Sequence, residues 1–148
     1  KALGYEVLPG EAWLEEKVEI LMPSAIENQI RGDNAGQIAS TVKLIAEGAN
    51  GPTTPDADAI IADKGITLIP DFLANAGGVT CSYFEQVQSN QNMYWERDEV
   101  LGRLDVTMTA AFHAVAEMAR KRKLAMRDAA YVISISRVAE ACHARGWV

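Results

Sequence analysis

Residues 65–85, GITLIPDFLANAGGVTCSYFE, decide how the chain is read. Ile66 to Ile69 is a short, mostly β-branched apolar run, which predicts a buried strand. Pro70 and Asp71 punctuate it, because proline cannot continue a central ladder. Asn75-Ala76-Gly77-Gly78 then reads as a small-residue turn, and Val79 to Val87 as a helix. A glycine turn between strand and helix lets a ligand approach the backbone, since no Cβ blocks it and the helix N–H groups are open. In open α/β sheets the ligand crevice lies at the carboxyl ends of the strands. An ordinary strand–helix connection, with glycines serving only close packing, fits the same residues.

Upstream, the same pattern recurs. Val18 to Met22 is a short apolar run stopped by Pro23, as in a parallel strand covered on both faces. Ser24 and Ala25 place small side chains at its carboxyl end. Glu27 to Ile30 predicts one helical turn, with Asp33 capping a further short helix through Ala39. Thr41 to Ala46 is the next strand, and Glu47 to Pro52 the turn after it. Thr54 is placed to cap a helix whose first residue is Pro55, where a missing N–H costs nothing. Asp56 and Asp58 follow in its first turn, Ile60 and Ile61 face the core, and Gly65 ends it. Nearer the start, Tyr5 to Leu8 predicts a short edge strand, and Glu11 to Lys17 a turn or two with Trp13 and Leu14 inward. Strand–helix–strand steps with short loops imply a parallel sheet.

Downstream the character changes. Gln86 to Asn92 is polar and reads as a loop or a fraying helix end. Asp98 to Lys123 is a long amphipathic helix with a seam of Leu101, Leu104, Met108, Ala111, Val115 and Met118. The seam spans too few heptads for a coiled coil, so it predicts packing on the domain. A last helix runs from Asp128 to Ala144, with Gly146 beyond it. The expected class is α/β: the later half of a nucleotide-binding domain with parallel strands, then a helical segment. The division expected is residues 1–86 and 87–148.

Composition narrows the function. The chain has 148 residues, 49% of them hydrophobic, and a formal net charge of −6. That length buries a real core, and no run reaches the ~20 apolar residues of a membrane span. The N-terminus opens directly into domain-like sequence, so no signal peptide is expected. Lys and Arg cluster only at Arg120 to Lys123, at a helix end that suits cations, which argues against a nucleic-acid partner. Cys81 and Cys142 lack metal or CxxC spacing and read as free thiols of a reducing compartment: the cytoplasm, or alternatively the mitochondrial matrix. His113 and His143 have no partner at ligand spacing, so no metal site is expected. There is no GxGxxG, no P-loop and no nucleophile–base pair.

Several blocks resemble one family. Pro23-Ser24-Ala25-Ile26-Glu27-Asn28-Gln29-Ile30, Ala46 through Pro55, Ile69-Pro70-Asp71 with Asn75 through Thr80, and Ser82-Tyr83-Phe84-Glu85 are similar, in order, to the Glu/Leu/Phe/Val dehydrogenases. Met126-Arg127, Ala129-Ala130-Tyr131, Arg137 to Glu140 and Arg145-Gly146-Trp147 extend the resemblance to the tail. The stretch Val79 to Glu85 resembles the glutamate branch, glutamate dehydrogenase, of which this would be the C-terminal part. The resemblance implies oxidative deamination of L-glutamate to 2-oxoglutarate and ammonia, with NAD or NADP as hydride carrier. The mechanism would be hydride transfer from the glutamate α-carbon, then hydrolysis of the imine, in a cleft that closes against water.

The resemblance also implies positions. Ser24 and Ala25 would line the cofactor crevice, and Asn50 and Asn75 would hydrogen-bond the cofactor, an amide being both donor and acceptor. Turn chemistry alone also accounts for asparagine at those places. Val79 and Ser82 would face the substrate side chain, with Cys81 packing beside them. No catalytic residue is expected in this chain: the family's catalytic lysine and aspartate belong to an N-terminal domain whose residues are not in it. The chain alone is therefore expected to be inactive, as an excised part of a homo-oligomeric, hexameric parent. A non-catalytic binding or oligomerisation module, or a leucine, phenylalanine or valine dehydrogenase relative, is the alternative. Glu96 stands where Ser or Thr more usually caps the long helix, and Asp98 is expected to take that role.

Overall fold

The computed structural model describes Gly4 and residues 7–147. They form two compact units, the first ending at Thr67 and the second starting at Leu68.

In the first unit, β1 (Ile20–Leu21) and β2 (Leu44–Ala46) run parallel, with Ile20 opposite Leu44 and Leu21 opposite Ile45. A nine-residue helix, α1 (Pro55–Asp63), then leads to β3 (Thr67–Ile69), and the sheet order is β1-β2-β3. The Thr67 N–H donates to the Lys43 carbonyl at 3.0 Å. Leu14, Leu21, Ile30, Ile38, Ile45 and Ile61 are buried. Gly65 closes α1 at φ +71°, the left-handed conformation that glycine takes without a steric penalty.

Several local expectations are corrected. The strands are shorter than Val18 to Met22 and Thr41 to Ala46. Glu27 to Ile30 is not a helical turn: Asn28 sits at φ +55°. Its N–H and that of Ile30 donate to the Gly51 and Pro52 carbonyls at 2.9 and 2.8 Å, which pulls the segment into extended pairing. Asp33 caps nothing, because its carboxylate is drawn to Arg31 at 3.0 Å. The helix beyond it is a single 3-10 turn, Ala35–Gln37, and Asn34 organises that loop instead. Asn34 accepts from the Arg31 N–H at 2.7 Å and donates to the Gln29 carbonyl at 2.9 Å. Thr54 does hold the N-cap position of α1, but its hydroxyl makes no cap bond to the helix backbone; it lies 3.3 Å from the Ile30 carbonyl and also within reach of the Asp56 carboxylate. A 3-10 turn, Ala12–Leu14, buries Leu14 as expected. Of the expected edge strand, Tyr5 and Glu6 lie outside the described residues; Val7 and Leu8 are exposed and not extended into a sheet.

The second unit is helical. After Pro70 comes a four-residue helix, α2 (Asp71–Ala74), absent from the sequence reading. Then come α3 (Ala76–Gln91), α4 (Arg97–Arg122) and α5 (Met126–Ala144). Asn75 to Gly78 is therefore not a free turn. The Asn75 N–H donates to the Asp71 carbonyl at 2.8 Å, and the two glycines form the first turn of α3. Gln86 to Gln91 is helix rather than loop. The core joins Leu73, Val115, Ala129 and Ala130, with Ile69, Ala111, Met118, Leu124 and Ile133 around it. That uses Ala111, Val115 and Met118, half of the expected seam, while Leu101 stays exposed. Glu96 does occupy the N-cap position of α4, without a side-chain cap, and Asp98 lies in the first turn, where it suits the helix dipole.

The three long helices stop alike. Asn92, Lys123 and Gly146 each adopt positive φ. The next residue's N–H then reaches back to the Gln88, Ala119 and Cys142 carbonyls at 3.2, 3.0 and 3.0 Å. This satisfies orphan carbonyls at each helix end. Gln88, buried on α3, also fixes the turn into α4: its Oε1 accepts the Trp95 N–H at 2.6 Å and its Nε2 donates to the Phe84 carbonyl at 3.2 Å. Gln88→Leu leaves that N–H without a partner. It is expected to cost about 1–3 kcal/mol in urea unfolding followed by circular dichroism. A cost near zero would mean that the Gln88 bond does not hold the turn.

Candidate functional site

The first group of candidate residues lies at the carboxyl ends of β1 and β2. The Pro23 carbonyl accepts two backbone N–H groups, from Gly48 at 3.0 Å and Ala49 at 2.9 Å. Beyond it, the segments run side by side as far as the parallel bridge between Ile30 and Thr53. Ser24, Ala25 and Asn50 are exposed on these two paired turns, while Glu47 and Ala49 are buried between them in sequence. The Ser24 hydroxyl donates to the Met22 carbonyl at 3.0 Å. A Cβ added at Gly48 would collide with Ser24 Oγ and stand 3.1 Å from Ser24 Cβ. Any larger residue at position 48 would have to displace the Ser24 side chain, so glycine suits the place where the two turns meet. Sequence reasoning does not single out Gly48, because the turn shows a glycine but not the neighbour it must clear.

The second group lies on α3. Asn75 is its N-cap residue, and its side chain makes no capping bond to the helix. Val79 and Ser82 follow at four and seven residues, so the three fall on one helical face. Val79 is 70% exposed, a large apolar side chain on an open face, and Ser82 is exposed beside it. The bond from a hydroxyl back to the preceding turn is made by Thr80, to the Ala76 carbonyl at 2.8 Å. Cys81 is half-buried and is a free thiol, as is Cys142.

Gly77 and Gly78 have no packing reason among the described residues. A Cβ at Gly77 would touch Leu104 Cδ1 at an ordinary 3.8 Å, and one at Gly78 would meet nothing within 4 Å. Neither has positive φ. Each glycine costs a helix roughly 0.8–1 kcal/mol against alanine. Close internal packing, the bland reading of these residues, therefore does not account for them. The opening turn of α3 presents bare backbone beside Asn75.

Titratable groups with displaced pKa values lie elsewhere. The Thr54 hydroxyl, with the N–H groups of its own turn, holds the Asp56 carboxyl below its ordinary range. Arg31, 2.8 Å away, does the same for Glu11. Both carboxyls are surface groups of the first unit and neither is placed for acid–base work. Among the described residues no group of three metal-ligating side chains comes together, and no helix is long and apolar enough to cross a membrane.

Ser24, Ala25 and Asn50 are thus exposed on two turns held close together, with Gly48 facing Ser24. Comparison with known proteins gives the family. The family profile described as Glutamate/Leucine/Phenylalanine/Valine dehydrogenase matches residues 2–146. An NAD-specific glutamate dehydrogenase of Staphylococcus aureus is 49% identical over 142 residues, which is 96% of this chain and 34% of that protein. The crystal structure of glutamate dehydrogenase from Peptoniphilus asaccharolyticus superimposes with a TM-score of 0.78 at 39% identity, over 86% of this chain and 32% of that one. The hetero-hexameric glutamate dehydrogenase from Thermus thermophilus, in a leucine-bound form, gives 0.86 at 30% identity, over 94% and 34%. The chain spans about a third of the length of these relatives, 34% of the first. The fold is thus the later half of a Rossmann-like domain followed by helices, and the chain belongs to the Glu/Leu/Phe/Val dehydrogenase family.

Proposed function

We propose that the chain is the C-terminal part of an NAD-linked glutamate dehydrogenase, which converts L-glutamate to 2-oxoglutarate and ammonia and back. The observation that carries this reading is the pair Gly77 and Gly78, two glycines in a helix that the chain's own packing does not require. Family membership and the 49% identity to an NAD-specific glutamate dehydrogenase support this reaction and favour NAD over NADP.

In this reading residues 1–86 belong to the nucleotide-binding domain and residues 87–148 are its C-terminal helical segment. Ser24 and Ala25 leave room for a flat ring at the end of β1. The Asn50 and Asn75 amides offer donors and acceptors to ribose hydroxyls and a carboxamide. Bound NAD supplies the hydride acceptor. Val79 shapes the substrate pocket, and the Ser82 hydroxyl donates to the substrate γ-carboxylate. No group of this chain takes up or delivers the reacting proton, so the 148 residues alone are inactive and turnover needs residues outside them. The active protein is a hexamer of the reducing cytoplasm, the mitochondrial matrix being the other compartment that fits.

Initial rates of the longer protein with glutamate, leucine, phenylalanine and valine, each with NAD and NADP, test the reaction. A site that hydrogen-bonds a polar group rejects analogues lacking it strongly, so glutamate with NAD is expected to lead by at least about 100-fold. Leucine or phenylalanine leading would place the chain in another branch. A second test reads the glycines. Gly78→Ala is expected to stabilise the fold by up to about 1 kcal/mol while weakening NADH binding about tenfold, or about 1.4 kcal/mol. A stabilised variant with unchanged NADH affinity would remove the cofactor from this turn.

A further inference from the structure

The helix α2 has four residues, far below the length at which a helix holds itself. Yet it carries Asn75 on its end, through the 2.8 Å bond from the Asn75 N–H to the Asp71 carbonyl. Asn75 is thus tied to α2 as well as to α3, and what fixes α2 bears on its place. Leu73 is buried against Ala129 and Ala130 of α5 and Val115 of α4. That burial sets depth but leaves α2 free to roll about Leu73, because an apolar contact has no direction. Two directed contacts on either side of Leu73 stop the roll, and both come from α5. The Phe72 and Tyr131 rings lie 4.8 Å apart, tilted by 38°. Arg127 Nη1 stands 3.6 Å from Asp71 Oδ1, with side chains only 17% and 19% exposed. Charges this sheltered are weakly screened by salt.

We infer that Arg127 is a positioning residue for the cofactor: through Asp71 it fixes the roll of α2, and so the place of Asn75 and the first turn of α3. This rests on the reading of Asn75 as a cofactor-binding residue. Arg127 lies on α5, 52 positions from Asn75 in sequence, and the bond it controls is one carbonyl removed from its own partner. Supporting residues of this kind hold a site to its working geometry, and loosening them is felt in the site rather than in the core. A shift of about 1 Å can cost a hundredfold, so a partial release is expected to cost about tenfold.

The test uses the longer protein with four forms: wild type, Arg127→Met, Arg127→Lys, and the double variant Asp71→Leu with Arg127→Met. NADH affinity is read by fluorescence titration, stability by thermal unfolding, and turnover by initial rates with glutamate. Arg127→Met is expected to raise the NADH dissociation constant and the NAD KM about tenfold, with kcat changed by less than about threefold, and to lower the unfolding temperature. Arg127→Lys keeps the charge and is expected to recover most of the affinity. The double variant removes both sheltered charges, which restores stability, and is expected to keep the weakened NADH affinity. Unchanged affinity in Arg127→Met overturns the inference. So does a double variant in which affinity returns together with stability, since that is the behaviour of a merely structural pair. A wild type that binds NADH but does not oxidise glutamate would refute the proposed reaction, while the affinities would still decide the role of Arg127. A wild type that binds no NADH would overturn both.

Discussion

One carbonyl, that of Pro23, holds two backbone N–H groups where the sheet of the first unit runs out. The arrangement of the site follows from it. Strands of two and three residues offer few ladder bonds, so the sheet cannot be kept by its regular part. The pairing continues instead through the turns, from Pro23 with Gly48 and Ala49 to Ile30 with Thr53. Proline at position 23 gives up no donor that the turn needs, and its carbonyl does the joining. The turns are drawn so close that a side chain at position 48 would have to displace that of Ser24. The same constraint leaves Ser24, Ala25 and Asn50 on the outside of a rigid backbone, where catalytic and binding residues are best held.

The second unit solves a related problem differently. Its candidate residues begin a helix, and helix starts have open N–H groups and little to hold them. Here a buried leucine, an ion pair and a ring contact clamp the short α2 from behind. The three residues Asn75, Val79 and Ser82 are then carried outward on one face. A pair such as Asp71 and Arg127 need not add net stability, because desolvation offsets attraction. Its value lies in direction, which apolar packing does not supply.

Much of this was legible in the residues. Pro55 and Gly65 bound α1, the apolar period marked α4, Asp128 and Gly146 marked α5, and the β-branched run at Ile66 marked β3. What escaped was decided by specific partners that composition does not name. Glu27 to Ile30 has the composition of a helical turn, but two carbonyls at Gly51 and Pro52 claim its N–H groups. Asp33 has the chemistry of a cap, but Arg31 is nearer. The α2 helix is too short to leave a period, and it exists because of α5. Gln86 to Gln91 looks like a loop by polarity, but Gln88 spends both ends of its amide inside the fold. The candidate residues Ser24, Ala25, Asn50, Asn75, Val79 and Ser82 came from family resemblance. Physics of the turns alone pointed to the places and not to the roles.

The central proposal is that Ser24, Ala25 and Asn50 in the first unit, and Asn75 in the second, are each cofactor-binding residues. Amide chemical shifts of this chain, followed while NADH is added, test it directly, since they register even weak contact. The account expects shifts at Ser24, Ala25, Gly48 to Gly51 and Asn75 to Ser82, and almost none along the exposed face of α5 around Ile135 and Val138. Shifts centred on α5, or none at those residues at millimolar NADH, would contradict it.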